Sequence, residues 1–156
     1  MPARGRPTAE DGASVGHTRG VQLIAELDAH ASEVPRARLL LGEALHAWHL
    51  DEDAADTALL LTSELVTNAV RHGRPPVHVR AALSVAGVVR VEVDDASPSP
   101  VRPQDPDLDD LGGRGLQLVQ MLSSAWGSRL GDRRHDGAPA VKCVWFEVRA
   151  GAPGAA

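Results

Sequence analysis

The chain has 156 residues, which suits one domain with tails and is short for two separate cores. Its 43% hydrophobic fraction can fill a core, while a net charge of −5, from 16 basic and 21 acidic residues with no arginine stripe, argues against nucleic acid as the main ligand. The single cysteine, Cys143, excludes an internal disulfide and reads as a small buried hydrophobe in a reducing compartment. No apolar run approaches the ~18 residues of a membrane span, and the polar segment Met1–Gly20 lacks the apolar stretch of a signal peptide. Residues 1–20 and 150–156 are expected to be disordered tails around a cytoplasmic domain at 21–149.

Taken in chain order, Val21–Leu27 reads as an edge strand. Ser32 and Pro35 then suit the start of a helix that carries Ala37, Leu40, Leu41, Ala44, Leu45 and Trp48 at helical spacing. A second helix is expected from Asp51 to His72, with acids at its positive end and Gly73 as the residue that stops it. Val77–Leu83 and Val88–Val93, with Ala86-Gly87 between them, form a predicted hairpin. Ala96–Gly113, with four prolines, is a predicted functional loop. Leu116–Trp126 is expected to be a third helix, followed by closing strands at Gly127–Arg134 and Ala140–Val148. Helices before hairpin strands, with one later helix, predict an α+β two-layer sandwich: a mostly antiparallel sheet with helices on one face.

Three places can carry chemistry. On the second helix, Glu64, Asn68, Arg71 and His72 fall within about one-third of the circumference, with Leu59, Thr62, Val66, Ala69 and Val70 opposite. A carboxylate one turn before a carboxamide offers a base and a neutral oxygen ligand, which suits general-base work beside Mg²⁺. A solvated face would also explain the pattern, although a mid-helix asparagine asks for a reason. Next, the strand Val91–Asp95 ends in acids at the mouth of the long loop. A carboxylate there can accept a hydrogen bond from an exocyclic amine such as that of adenine, or simply build a turn. Finally, Gly112-Gly113-Arg114-Gly115-Leu116 opens the third helix, where free N–H groups and close backbone approach suit a phosphate, or merely a hinge.

Other nucleotide and metal motifs fail on their residues. The only lysine, Lys142, follows Val141 in a strand, so there is no P-loop and no strand lysine of the common protein-kinase fold. The Gly-x-Gly lacks the third glycine of a dinucleotide fingerprint. Asp105, Asp107 and Asp109 are spaced like a calcium loop, but Asp110 and Leu116 stand where glycine and glutamate are required. The seven histidines have no zinc spacing with the lone cysteine.

The three places, in this order from Ser32 to Val148, resemble the GHKL (Bergerat-fold) ATPase superfamily, and within it the small anti-sigma-factor serine/threonine kinases. Glu64-x-x-x-Asn68-Ala69 is similar to the family's N box, Asp95-x-Ser97 to its first glycine box, and Gly113-x-Gly115-Leu116 to its second. The resemblance implies ATP and Mg²⁺ as cofactors. Asn68 would ligate the metal, Asp95 would hold the adenine amine, and Gly113 and Gly115 would lie against the phosphates, with Arg71 facing them. His72, Ser97, Arg114 and Leu116 complete the implied nucleotide-binding set, with 98–112 as the lid. Glu64 would be the general base that deprotonates a serine or threonine on a partner. Ser97 departs from the family's usual glycine, and a hydroxyl there could add a hydrogen bond or crowd the nucleotide.

The resemblance implies an anti-sigma antagonist protein or a sigma factor as partner, with no direct nucleic-acid contact and homodimerisation left open. Two rivals stand beside it. One is a module that uses ATP only as a structural ligand while gripping its partner. The other is a histidine-kinase catalytic domain, for which the helix bearing His46 and His49 is too short to be a dimerising hairpin.

Overall fold

The computed structural model describes residues 18–97, 112–131 and 142–151. Within them the chain runs β1 (Thr18–Leu27), α1 (Glu33–Ala47), α2 (Glu52–His72), β2 (Val77–Ser84), β3 (Val88–Asp95), α3 (Gly112–Leu122), β4 (Ala125–Leu130) and β5 (Lys142–Arg149). The five strands form one antiparallel sheet in the order β1-β2-β3-β5-β4. The helices pack on the inner face. This is the α+β architecture the sequence predicts.

Strand alternation explains the two faces. Val89, Val91 and Val93 of β3 point inward with Val77, Val79 and Ala81 of β2 and Val144, Phe146 and Val148 of β5. They meet Ala37, Leu41 and Leu45 of α1 and Ala58, Leu61, Leu65, Val66 and Ala69 of α2. Each fully buried Val, Leu or Phe is worth about 1.5–3 kcal/mol of transfer free energy, so this layer dominates stability. Leu59 is only half-buried and faces Gly42 of α1, and Val70 is half-buried as well.

The helix ends are set by particular groups. Asp51 caps α2 by accepting the Ala54 N–H at 3.1 Å. The same carboxylate accepts the Gly151 N–H at 2.6 Å, and this bond, ahead of the Ala54 one, holds its pKa below the usual value. Gly151 and Ala150, expected in a tail, are thus tied to the fold; Ala150 N–H also donates to the Gly87 carbonyl at 2.8 Å. At the other terminus Thr18–Gly20 belongs to β1, with Thr18 and Arg19 paired to Ser84 and Leu83 of β2, whereas 1–17 and 152–156 lie outside the described residues. Ser32 does not cap α1 with its side chain, because its own backbone is already helical at φ −63, ψ −17. Gly87 sits at φ +80 in the β2–β3 turn, a conformation that favours glycine.

The third helix begins earlier and ends earlier than expected. It takes in Gly112 and Gly113 and stops at Leu122, where Ser123 N–H and Oγ both bond the Val119 carbonyl and Ser124 N–H donates to Glu147 O at 2.8 Å. That last bond delivers the chain to β5, so Trp126 is a strand residue opposite Phe146.

The outer sheet face carries ion pairs. Arg80 pairs with Asp94, Arg90 with Glu92 (3.1 Å) and Glu147 (3.2 Å), and Arg129 with Glu92 (3.6 Å). Three arginines therefore meet three carboxylates, and this face offers no unbalanced positive stripe among the described residues. The Arg90 guanidinium lies 3.9 Å from the centre of the Trp145 ring, which covers Gly127. A Cβ on Gly127 would sit 2.7–2.9 Å from three ring atoms. The ring would have to lift and give up its Arg90 stack. Gly127→Ala is therefore expected to destabilise the domain by about 1–3 kcal/mol, measured by urea unfolding. Cys143 is 3% exposed on this face, and burial, then the neighbouring Asp94 and Glu92 charges, push its thiol pKa well up.

Candidate functional site

The site lies at one end of the inner face, where α2, α3 and the ends of β3 and β5 converge. Its first half is built by α2 and α3. Glu64 and Asn68 lie one helical turn apart and are both half-buried. Over them passes the first turn of α3. A Cβ on Gly115 would stand 3.2 Å from Asn68 Nδ2, 3.2 Å from Glu64 Oε2 and 3.3 Å from Glu64 Cβ. Glycine at 115 is thus a matter of space: the backbone of α3 lies directly against the carboxylate and the carboxamide.

That same turn, Gly112–Gly115, contains no acidic residue. The first N–H groups of a helix lack intrahelical partners and carry positive potential, so this end favours an anion. Gly113 and Arg114 belong to the turn by backbone position. Leu116 is 6% exposed and its side chain belongs to the core, so only its backbone can face a ligand.

The second half is built around Asp95. As the last residue of β3 it continues the inward alternation of Val91 and Val93, and it is 3% exposed. Burial of a carboxylate requires compensation. Oδ1 accepts the Ser97 N–H at 2.7 Å, and Oδ2 faces the Lys142 ammonium at 3.5 Å. Lys142 opens β5 directly opposite Asp95 in the ladder. Ser97 is itself buried, and Ala96 N–H donates to the Arg74 carbonyl at 2.8 Å, which anchors the turn after β3 to the end of α2.

Gly73 joins the two halves. It ends α2 with its N–H on Ala69 O at 2.9 Å, but its backbone is extended at φ −85, ψ −167 rather than left-handed. Any residue can adopt that conformation. Glycine is needed because a Cβ would lie 2.5 Å from the Ala69 carbonyl and 2.6 Å from Cγ and Oδ2 of Asp95. Gly73 and Lys142 are site residues that sequence reading missed.

The structure therefore brings Glu64, Asn68 and Gly115 together, and Asp95 with Ser97, Gly73 and Lys142. Arg71 and His72, in the last turn of α2, are exposed. The expected lid, 98–112, falls outside the described residues except for Gly112, as do Asp105, Asp107 and Asp109. Among the described residues no cluster of three or more His, Cys, Asp or Glu could hold a metal, and no helix is long and apolar enough to cross a membrane.

The described parts suit a nucleotide. A buried carboxylate, Asp95, stands at one end, the Asn68 carboxamide and the Glu64 carboxylate at the other, and the helix start at Gly115 lies against the latter pair. The fold agrees with a known structure. The RsbU and RsbW domains of Rv1364c from Mycobacterium tuberculosis align with 86% of this chain at 24% identity and a TM-score of 0.61. The chain spans 33% of that structure's length. The blue-light-activated histidine kinase of Erythrobacter litoralis aligns with 65% of the chain and 32% of its own, at 25% identity and a TM-score of 0.48. No curated protein matches the chain. The family model of the histidine kinase-like ATPase domain matches residues 27–141, well over half of the sequence and the span that holds Glu64, Asn68, Asp95 and Gly115. By that match the chain belongs to the histidine kinase-like ATPase domain family.

Proposed function

We propose that this domain binds ATP with Mg²⁺ and uses it, as an anti-sigma-type serine/threonine kinase, to phosphorylate a small antagonist protein. The observation that supports this most is the approach of Gly115 to Glu64 and Asn68, which brings a helix N-terminus, a carboxylate and a carboxamide within one small volume. On this reading Asn68 would offer its carboxamide oxygen to Mg²⁺, a cation that takes oxygen ligands. Asp95 accepts the adenine amine, and the α3 N-terminus with Gly113, Arg114 and Gly115 holds the phosphates, with Arg71 and His72 nearby on α2. Bound Mg·ATP supplies the phosphoryl group, and Glu64 takes the proton from the attacking hydroxyl. Catalysis then rests mainly on positioning and charge neutralisation. The sheet, helices and matched span support the ATP-binding part. The serine/threonine specificity and the antagonist or sigma-factor partner come from the resemblance of the motif set to anti-sigma kinases.

Calorimetry with Mg·ATP tests the reading. The unaltered protein is expected to bind, and Asn68→Ala to lose affinity about a hundredfold through loss of a metal ligand. Equal affinity in the two would remove Asn68 from the site, and no binding by the unaltered protein would overturn the proposal. Partner binding without any phosphotransfer would favour ATP as a purely structural ligand.

A further inference from the structure

We propose that Lys142 is a base-reading residue that works as a pair with Asp95, donating to the N1 acceptor of adenine while Asp95 accepts from the N6 amine. This rests on the ATP-binding reading above and extends it to a residue outside the expected set.

Four observations carry it. Lys142 is the only lysine among the chain's 16 basic residues, so a lysine at this place is not part of a general surface pattern. Its side chain is 14% exposed and its ammonium lies 3.5 Å from Asp95 Oδ2. The two residues are direct partners across the β3–β5 ladder, and both project to the inner face beside the end of α2. The carboxylate accepts the Ser97 N–H on its other oxygen, and Gly73, which has no Cβ, lets it stand against the end of α2. The Ser97 bond holds Asp95 beside Lys142, and an acceptor and a donor stand side by side.

The chemistry of the adenine edge matches such a pair. N6 donates and N1, next to it, accepts. A carboxylate alone reads only the first, but a lysine ammonium has three donors and no acceptor, and Asp95 engages one of them. A hydrogen bond to a charged partner is worth enough to set specificity, because a site built for a polar group penalises the analogue that lacks it. A purely structural Lys142, serving only to offset the buried Asp95 charge, would be blind to N1.

The test compares ATP with 1-deaza-ATP, which keeps the amine and replaces N1 by C–H, on the full chain with Mg²⁺, by calorimetry. The unaltered protein is expected to bind 1-deaza-ATP about tenfold more weakly than ATP. Lys142→Met is expected to bind ATP about tenfold more weakly and to treat the two nucleotides alike. Lys142→Arg, which keeps charge and donors, should retain a preference for N1. A variant that binds ATP less well yet keeps the full N1 preference assigns Lys142 to charge compensation or to phosphate and overturns the proposal. So does an unaltered protein that binds both nucleotides equally, a result that needs no variant to fold. Absence of any ATP binding by the unaltered protein would instead defeat the ATP reading itself.

Discussion

Replacing Glu64 by Gln is expected to leave Mg·ATP affinity within about twofold while lowering phosphoryl transfer about 10²–10⁴-fold, the usual contribution of a positioned general base. The substitution keeps the shape of the side chain and its packing against the first turn of α3, where Oε2 stands 3.2 Å from the position of a Gly115 Cβ. It removes the ability to take a proton, together with the carboxylate's charge. Transfer to a serine- or threonine-containing protein substrate, followed in a single turnover, reads the chemical step; calorimetry reads binding. A loss of both in parallel would mean that Glu64 holds the nucleotide or its metal, and undiminished transfer would refute the general-base role. Because Asn68 lies one turn away on the same helix, the two variants separate the roles: Asn68→Ala should act on binding and Glu64→Gln on rate.

The sequence made one half of this site legible and concealed much of the other. Glu64 and Asn68 share a helix, and four-residue spacing alone puts them on one face. Gly115 could be suspected because glycines at a helix start allow close approach. Asp95 stood out as an acid ending an apolar strand. Lys142 could not be found this way. Its relation to Asp95 exists only because β5 inserts between β3 and β4 in the sheet, and nothing local in 142–149 specifies which strand it will pair with. Gly73 is legible as the residue that ends α2, but the reason for glycine there is not. A glycine after a helix suggests a left-handed turn, whereas here the reason is the carboxylate of a residue 22 positions later, a tertiary contact. The boundary errors have the same origin. Trp126 continues an apolar helical pattern, yet the Ser124 hydrogen bond to β5 ends the helix before it. Tertiary pairing overrode local periodicity at each of these places.

Gly73→Ala should expose that tertiary contact directly. The backbone at 73 suits alanine, so the substitution carries no conformational penalty and even restricts the unfolded chain, a change that by itself stabilises by about 0.4–1 kcal/mol. The added methyl, however, would lie 2.5 Å from the Ala69 carbonyl and 2.6 Å from the Asp95 carboxylate, well inside van der Waals contact. Neither neighbour yields easily: the carbonyl belongs to the last turn of α2, and Asp95 is held by Ser97 and Lys142. The net cost is expected to be about 1–3 kcal/mol, seen as a lower urea midpoint and a lower Tm. On the proposed reading Gly73 would act on the base through Asp95, so a second readout separates positioning from general instability. The unaltered protein should prefer ATP over the triphosphate of purine riboside, which lacks the 6-amino group, by about tenfold. A displaced Asp95 should erase that preference at temperatures where Gly73→Ala is still fully folded. If the variant is less stable but keeps the preference, the methyl has been absorbed by α2 alone, and Asp95 does not depend on Gly73 for its position.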